Sequence, residues 1–173
     1  SQATITPIVV DSSPEEHVLI RFDNIIGYGT NQIPRGSTIT SATLTLRVGS
    51  GTNDQSANPV NFHRLLNPWV ATDVWAAYGV APWNSTGGVQ ADDVDAASTI
   101  DATATMATAN TAYPVTVTAT VQAWANAPST NYGWVILPTG TDGLRLQSSE
   151  STTVSYRPLL SVTFTPPVSQ CTT

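Results

Sequence analysis

The sequence predicts an all-β protein, an antiparallel β-sandwich of jelly-roll-like form with short helical turns. Three observations carry this prediction. Apolar and polar residues alternate with a period of two from end to end of the chain. Threonine, whose β-branched side chain suits an extended backbone, fills many of the polar positions. Glycine and proline separate the alternating runs, as in the turns of 33–37, 48–54 and 138–143.

The strands follow from this alternation. In 40–48, "TSATLTLRV", the residues Ala42, Leu44 and Leu46 share one face, while Thr43 and Thr45 share the other. This is the pattern of a half-buried antiparallel strand. Comparable runs predict further strands at 17–23, 60–66, 113–119, 133–137, 143–148 and 158–165.

Two segments depart from the strand pattern. Residues 68–88 are rich in aromatic residues without a clean period, and we expect a helical turn and loop packed on one end of the sandwich. Residues 118–127 place Val121 and Trp124 three positions apart, which predicts one or two helical turns with an inward face. Between them, 90–110 is poor in bulky residues and predicts a surface loop with a weak strand.

Composition excludes several classes of function. The chain of 173 residues has a net charge of −6, only 10% charged residues, and arginine as its sole basic residue type. Nucleic-acid binding needs a basic stripe, which the sequence lacks. No apolar run approaches the roughly 20 residues that span a bilayer. The polar, weakly charged and threonine-rich composition favours a secreted or cell-surface protein. Cys171 is the single cysteine, so no internal disulfide forms.

The order of segments resembles the DNRLRE domain, a β-sandwich module of secreted and surface proteins. The stretches that carry the resemblance are 19–23 "LIRFD", 33–48 "IPRGSTITSATLTLRV", 67–75 "NPWVATDVW", 117–136 "VTATVQAWANAPSTNYGWVI" and 145–164 "RLQSSESTTVSYRPLLSVTF". The resemblance implies a relationship to a family of carbohydrate-binding modules that are attached to polysaccharide-degrading enzymes.

The resemblance also suggests the organisation of the chain. We expect a DNRLRE-like sandwich over 17–165, an amino-terminal extended segment over 1–16 and a carboxyl-terminal tail over 166–173. Members of that family usually carry a further strand ahead of the "LIRFD" segment. The shorter segment here predicts either a lost strand or a place that something else must fill.

The stretch 145–158, "RLQSSESTTVSYRP", is interpreted as a structural corner and not as a catalytic site. Glu150 and Arg157 flank one loop and are expected to form an ion pair across its neck. A catalytic triad needs a base oriented beside the nucleophile, but His17 and His63 both lie within strand runs. The sequence therefore predicts a protein that is not an enzyme.

Cofactors and metals find little support in the sequence. Residues 91–98, "ADDVDAAS", bunch three aspartates that offer oxygen ligands to calcium, but they lack the full pattern of a calcium loop. A solvated acidic loop is the favoured interpretation. One cysteine and two distant histidines do not make a zinc site.

Aromatic residues supply one functional hypothesis. Trp75, Tyr78 and Trp83 are candidates to stack on sugar rings, whereas Trp69 and Trp124 are predicted to belong to the core. A protein of this kind would bind a neutral polysaccharide, because its acidic net charge disfavours acidic ones. The "NST" sequence at 84–86 makes Asn84 a candidate for N-glycosylation.

The amino terminus supplies the main functional hypothesis. It is apolar and β-branched, with the candidate assembly residues Thr4, Ile5, Thr6, Pro7, Ile8, Val9 and Val10. One alternative is an edge strand of the chain's own sheet, which suits Pro7. The other is strand addition to a neighbouring copy, which would build a fibre from identical subunits. From these alternatives we expect a structural subunit that assembles with copies of itself, and a carbohydrate-binding module as the second hypothesis.

Overall fold

The computed structural model confirms the all-β prediction. It describes residues 7–73, 77–78, 81–84 and 88–168. The strands of this part are β1 (Ile8–Ser12), β2 (Glu15–Glu16), β3 (Val18–Ile20), β4 (Ile26–Gly27), β5 (Ile33–Pro34), β6 (Thr38–Arg47), β7 (Val60–Arg64), β8 (Ala77–Tyr78), β9 (Ala81–Pro82), β10 (Ala102–Ala104), β11 (Ala112–Thr116), β12 (Trp134–Pro138), β13 (Leu144–Leu146) and β14 (Leu159–Thr165). The helices are α1 (Thr118–Asn126) and two 3₁₀ turns, Pro128–Thr130 and Val154–Tyr156.

The first sheet has four antiparallel strands in the order β10-β7-β12-β3. Its central strand β12 is apolar at successive positions because both faces of the sheet are covered. Trp134 and Ile136 face the main core, while Val135 faces a second apolar cluster on the outer side. Strands β10 and β3 are the two edges of this sheet.

The second sheet is built around β6, the longest strand in the described residues. β11 pairs along one edge of β6, and β14 pairs along the other. Where β14 begins, β13 continues that second edge, since Val48 bridges Leu146 and Gln147 donates its backbone N–H to the Arg47 carbonyl at 2.8 Å. β1 then pairs with β13, and β2 pairs with β1.

The main core lies between the two sheets and is closed at one end by α1. The helix buries Val121 and Trp124, as its spacing predicts, and Trp124 packs on Trp134 with ring centroids 4.4 Å apart. The Gln122 amide ties the helix to the second sheet, because it accepts from Ile39 N and donates to Ser37 O. The helix ends just before Pro128, which cannot continue it. No helix of the described residues is long and apolar enough to cross a membrane.

The aromatic segment 68–88 differs from the prediction. Its described residues form a short antiparallel pair, β8 with β9, and no helical turn. They pack over the outer face of the first sheet and not on an end of the sandwich. There Trp83 and Val89 join Leu65 and Val135 in the second cluster. The physical reason is that this outer face is itself apolar and needs a cover.

The amino-terminal strand pairs within its own chain. Ile8, Val9 and Val10 lie opposite Leu146, Arg145 and Leu144 of β13, and Val10 is buried at 1% exposure. Pro7 lies in the bend that precedes β1, and Thr4, Ile5 and Thr6 lie outside the described residues. Of the two alternatives left open by the sequence, the structure shows the intrachain strand for 8–10. Residues 8–10 are therefore not free to add to the sheet of a neighbour.

Candidate functional site

A groove of about 780 Å³ lies beside β3, at one edge of the first sheet. Val18 and Ile20 point from this strand into the main core, and Leu19 points to the outer cluster. Three distant parts of the chain enclose the strand edge. They are 8–22, the covering loop with residues 69–73, 83 and 89, and the corner with residues 148–150 and 158.

Trp69 forms the aromatic wall of the groove and is held in place by its neighbours. Its indole N–H donates to the Tyr132 carbonyl at 2.7 Å. The Arg21 guanidinium lies 5.1 Å from the centroid of the Trp69 ring and donates to the Trp69 carbonyl at 2.8 Å. The ring is half-buried, so one part packs on the outer cluster while another part lines the groove. This arrangement presents a fixed apolar surface to a ligand.

The loop that carries Trp69 is stabilised by Asp73. The Asp73 carboxylate accepts the Val70 N–H at 2.8 Å, and the Asp73 N–H donates to the Val70 carbonyl at 2.9 Å. These two reciprocal bonds fix the backbone of the short loop between Val70 and Asp73. Asp73 thus positions the aromatic wall and also places a carboxylate on the groove.

Carboxylates outnumber cations along the groove. Glu15, Glu16, Asp73 and Glu150 line it, against one arginine, Arg21. Arg21 is also paired with Asp23 at 2.6 Å. The groove therefore carries negative charge at neutral pH.

His17 does not offset this charge. Its side chain is only 3% exposed, and its Nε2 lies 3.0 Å from Glu15 Oε1. Burial lowers the pKa of His17 and outweighs the Glu15 carboxylate, which acts in the opposite direction. The imidazole is consequently neutral at pH 7.

The structure describes only part of the predicted aromatic platform. Trp75 lies outside the described residues, and Tyr78 is described only as part of the β8 backbone. Trp83 is buried at 5% exposure in the outer cluster and still lines the groove. Trp124 is buried in the core. Trp69, predicted as core, instead contributes both to the outer cluster and to the groove.

The corner at 145–158 is held by its own backbone and hydroxyl groups. Ser148 Oγ accepts the Glu150 N–H at 3.1 Å, and Arg157 Nε donates to the Ser151 carbonyl at 2.9 Å. The Glu150 carboxylate accepts from the Ser149 hydroxyl at 3.1 Å. The ion pairs within the described residues do not include Glu150 with Arg157. The corner therefore has the expected structural role, and Glu150 is placed on the groove.

The acidic segment 91–98 uses its carboxylates as internal acceptors. Asp92 accepts the backbone N–H groups of Val94 and Asp95 at 2.9 and 2.8 Å, and Asp93 accepts that of Ser98 at 2.8 Å. Burial tends to raise the pKa of Asp92, but the bonds from the Asn84 amide and from these backbone N–H groups hold it below the usual range. The bonds from Ser98 hold the pKa of Asp93 below the usual range. Within the described ranges, no group of three or more metal-ligating side chains comes together.

Asn84 follows Trp83 directly and is exposed. Its amide donates to Asp92 Oδ2 at 2.7 Å, and its backbone N–H points at the Asp95 carboxylate at 2.9 Å. The candidate glycosylation residue thus joins the covering loop to the acidic segment. Its modification remains a prediction.

A buried carboxylate lies at the other edge of the first sheet, beside β10. Asp101, at 6% side-chain exposure, pairs with Arg64 at 3.0 Å just ahead of β10. Burial raises the pKa of Asp101, although the Arg64 charge opposes the shift. This pair lies away from the groove and does not line it.

Sequence reasoning missed Arg21 as a site residue. The only signal was a charged residue inside an otherwise apolar run, "LIRF". Its partner Trp69 is 48 positions further along the chain. A single sequence does not reveal which distant residues are in contact, so it does not show that Arg21 and Trp69 are partners.

A comparison with protein families identifies the family of this chain. The model of the family described as "Carbohydrate-binding module family 96" matches residues 3–164. Comparison with the curated proteins gives no match. The match includes the segment ahead of "LIRFD", so the amino-terminal strand lies within the family's own pattern. It confirms the carbohydrate-binding relationship that the DNRLRE resemblance implies, while the DNRLRE name itself stays a prediction. The chain belongs to carbohydrate-binding module family 96.

Proposed function

We propose that this protein binds a polysaccharide outside the cell, in the groove beside β3. The observation that carries the proposal is the wall formed by Trp69, which lines the groove together with four carboxylates and Arg21. The C–H groups of a pyranose pack on the negative face of an aromatic ring, and its hydroxyls bond to polar side chains around it. The groove supplies both kinds of partner.

The charges of the groove favour an uncharged polysaccharide. Its carboxylates would repel a polyuronate, because Arg21 is the single cation among the described residues that line the groove and is already paired with Asp23. Sugar hydroxyls, by contrast, donate well to carboxylates. Membership of a carbohydrate-binding family supports the ligand class, and the charges support the neutral subclass.

The test is binding of the purified protein to soluble polysaccharides by affinity electrophoresis and calorimetry. The probes are mixed-linkage β-glucan, xylan and galactomannan, with a polyuronate as the charged comparison. We expect at least one neutral polymer to bind, and Trp69→Ala to weaken that binding by about tenfold or more, which corresponds to about 1.4 kcal/mol.

Two further variants control this experiment. Trp69→Phe keeps a ring in the wall and should retain part of the affinity, which separates stacking from a general loss of structure. Tyr113→Ala alters the other edge of the sandwich and should bind like the parent protein. The proposal fails if the folded parent binds none of the neutral polymers, or if Trp69→Ala binds as tightly as the parent. Preference for the polyuronate would contradict the argument from charge.

A further inference from the structure

Tyr28 lies outside the groove and is held out in solvent, with 86% of its surface exposed. It sits on the loop between β4 and β5. The flanking residues Ile26 and Ile33 are buried, at 9% and 7% exposure. The loop therefore has a buried base and an exposed aromatic tip.

Hydrogen bonds of the Gln32 side chain fix the conformation of this loop. The Gln32 side chain accepts the Gly29 N–H at 2.7 Å and donates to the Asn24 carbonyl at 2.8 Å. A Cβ at Gly27 would collide with that amide, and one at Gly29 would lie 2.9 Å from it. The Gln32 amide thus packs beneath the backbone on both sides of Tyr28. An aromatic ring on such a loop loses little conformational freedom when a ligand binds.

A cation accompanies the exposed ring. The Arg35 guanidinium lies 5.7 Å from the centroid of the Tyr28 ring. Arg35 is itself exposed, and the ion pairs of the described residues leave it without a carboxylate. Its planar group lies over one face of the ring, as in a cation–π contact. The other face of the ring stays open to solvent.

We propose that Tyr28 and Arg35 form a second carbohydrate-binding site, which stacks a pyranose ring on the open face of Tyr28. The Arg35 guanidinium covers the opposite face and holds the ring in position for the sugar. The ligand class follows from the chemistry of an exposed aromatic ring, in a chain of a carbohydrate-binding family. This site does not require the groove to be the main site.

The two sites lie within reach of one polysaccharide chain. Tyr28 lies seven positions after Arg21, which contacts the groove wall, so their Cα atoms are at most about 25 Å apart. The segment between them is anchored, because Asn131 donates to the Phe22 carbonyl at 3.0 Å. A long chain can engage both sites, whereas a short oligosaccharide can occupy only one. Two linked contacts strengthen binding to the polymer beyond either contact alone.

The experiment compares a polymer with its fragment for the variants Tyr28→Ala and Arg35→Gln. Calorimetry is run with whichever of β-glucan, xylan or galactomannan the parent binds, and with the tetrasaccharide of that polymer. We expect Tyr28→Ala to weaken polymer binding by about tenfold while tetrasaccharide binding in the groove is unchanged. Arg35→Gln should cause a smaller loss. Val154→Ala, which truncates another side chain that is 72% exposed, should change neither.

The outcomes separate this proposal from that of the groove. If Tyr28→Ala binds the polymer as the parent does while Trp69→Ala does not, the Tyr28 site is overturned and the groove stands. If only Tyr28→Ala loses affinity, the groove is overturned and the Tyr28 site stands. A parent that binds none of the three polymers overturns both. Melting temperatures equal to that of the parent show that the exposed variants are folded.

Discussion

The two edges of the first sheet differ in what they present, although both leave a groove against the second sheet. At β10 the groove of about 410 Å³ is lined by residues 102–105 and 113–116, mostly alanine and threonine. Its one aromatic residue, Tyr113, uses its hydroxyl to accept the Thr108 N–H at 2.8 Å. At β3 the groove is larger and is lined by Trp69, Trp83 and several carboxylates.

The difference shows that the covering loop, and not the strand edge, makes the candidate site. Both edges are short strands of three residues. Only β3 is overhung by the loop that carries Trp69 and Trp83, and that loop is present because it buries the outer face of the sheet at Leu65 and Val135. One apolar cluster therefore stabilises the fold and positions the aromatic wall.

The largest expected effect is a loss of stability that affects both edges of the first sheet. Trp134→Ala removes the indole at the first position of β12, where it is fully buried against Trp124. The cavity should lower the free energy of unfolding by about 3–5 kcal/mol. Urea denaturation followed by circular dichroism measures it. A loss below about 1 kcal/mol would mean that the core collapses around the cavity and does not depend on this ring.

A pair of matched variants separates the two edges. Val135→Ala acts beneath the covering loop, and Val115→Ala acts on β11, facing the other groove; both side chains are buried. Each should cost about 2 kcal/mol of stability by the same loss of buried methyl groups. Only Val135→Ala should also weaken binding to the neutral polysaccharide, as measured by calorimetry. Equal binding by both variants would show that the outer cluster does not position the site.

Acidification should weaken the β3 edge through His17. Its folded-state pKa is lowered, so its contribution to stability is complete above about pH 6.5 and is lost as pH falls through the folded pKa. His17→Gln removes this titration. The stability difference between parent and variant should therefore shrink as urea denaturations move from pH 8 to pH 4. A difference that stays constant or grows would contradict the burial of a neutral imidazole.

The opposite slope is expected beside β10, from Asp101. Its folded-state pKa is raised, so its contribution is complete below about pH 3.9 and is lost as pH rises through the folded pKa. Asp101→Asn abolishes the titration. The Arg64 ion pair that it also removes forms only with the ionised carboxylate, so the effect of this pair is already included in the folded-state pKa of Asp101. Subtracting the variant's profile from the parent's cancels the titration of Asp92 and Asp93, whose pKa values are lowered. The free energy of unfolding of the parent, relative to that of the variant, should fall as pH rises above 4. A rise in this difference would contradict the prediction.

The smallest effect belongs to the β10 groove itself. Tyr113→Phe deletes the hydroxyl that accepts the Thr108 N–H. Because this bond lies at the surface, the loss should be about 1 kcal/mol or less. Affinity electrophoresis should show no change with any polysaccharide. Weakened binding in this variant would move the candidate site to the other edge of the sheet.

The sequence predicted those elements whose pattern is local. Alternation located β6 through Leu44 and Leu46, and the spacing of Val121 and Trp124 located α1. The packing of the covering loop on the outer face of the first sheet was not predicted. Trp83 and Val89 cover an apolar surface that exists only when Leu65 and Val135 lie side by side in the folded sheet. Aromatic residues without a period do not reveal which face they will cover.

The candidate site was less predictable than the fold for a related reason. Trp83 was among the residues proposed for sugar binding and does line the groove, but the contact between Arg21 and Trp69 joins distant parts of the chain. The segment 8–10 was likewise recognisable as a strand, whereas its pairing with β13 was not. Propensity indicates that a segment is extended, but only the packed structure supplies its neighbour.

The pairing of β1 with β13 also has a consequence for biogenesis. Ile8 meets Leu146, so a strand made among the first residues of the described chain finds its partner only when nearly all of that chain has been synthesised. Contacts of such long range slow folding, because the loop must close before the contact can form. Until then the β1 segment is exposed to other chains. The groove, whose walls come from the beginning, middle and end of the described chain, is thus complete only after its carboxyl-terminal wall at 148–158 has been synthesised.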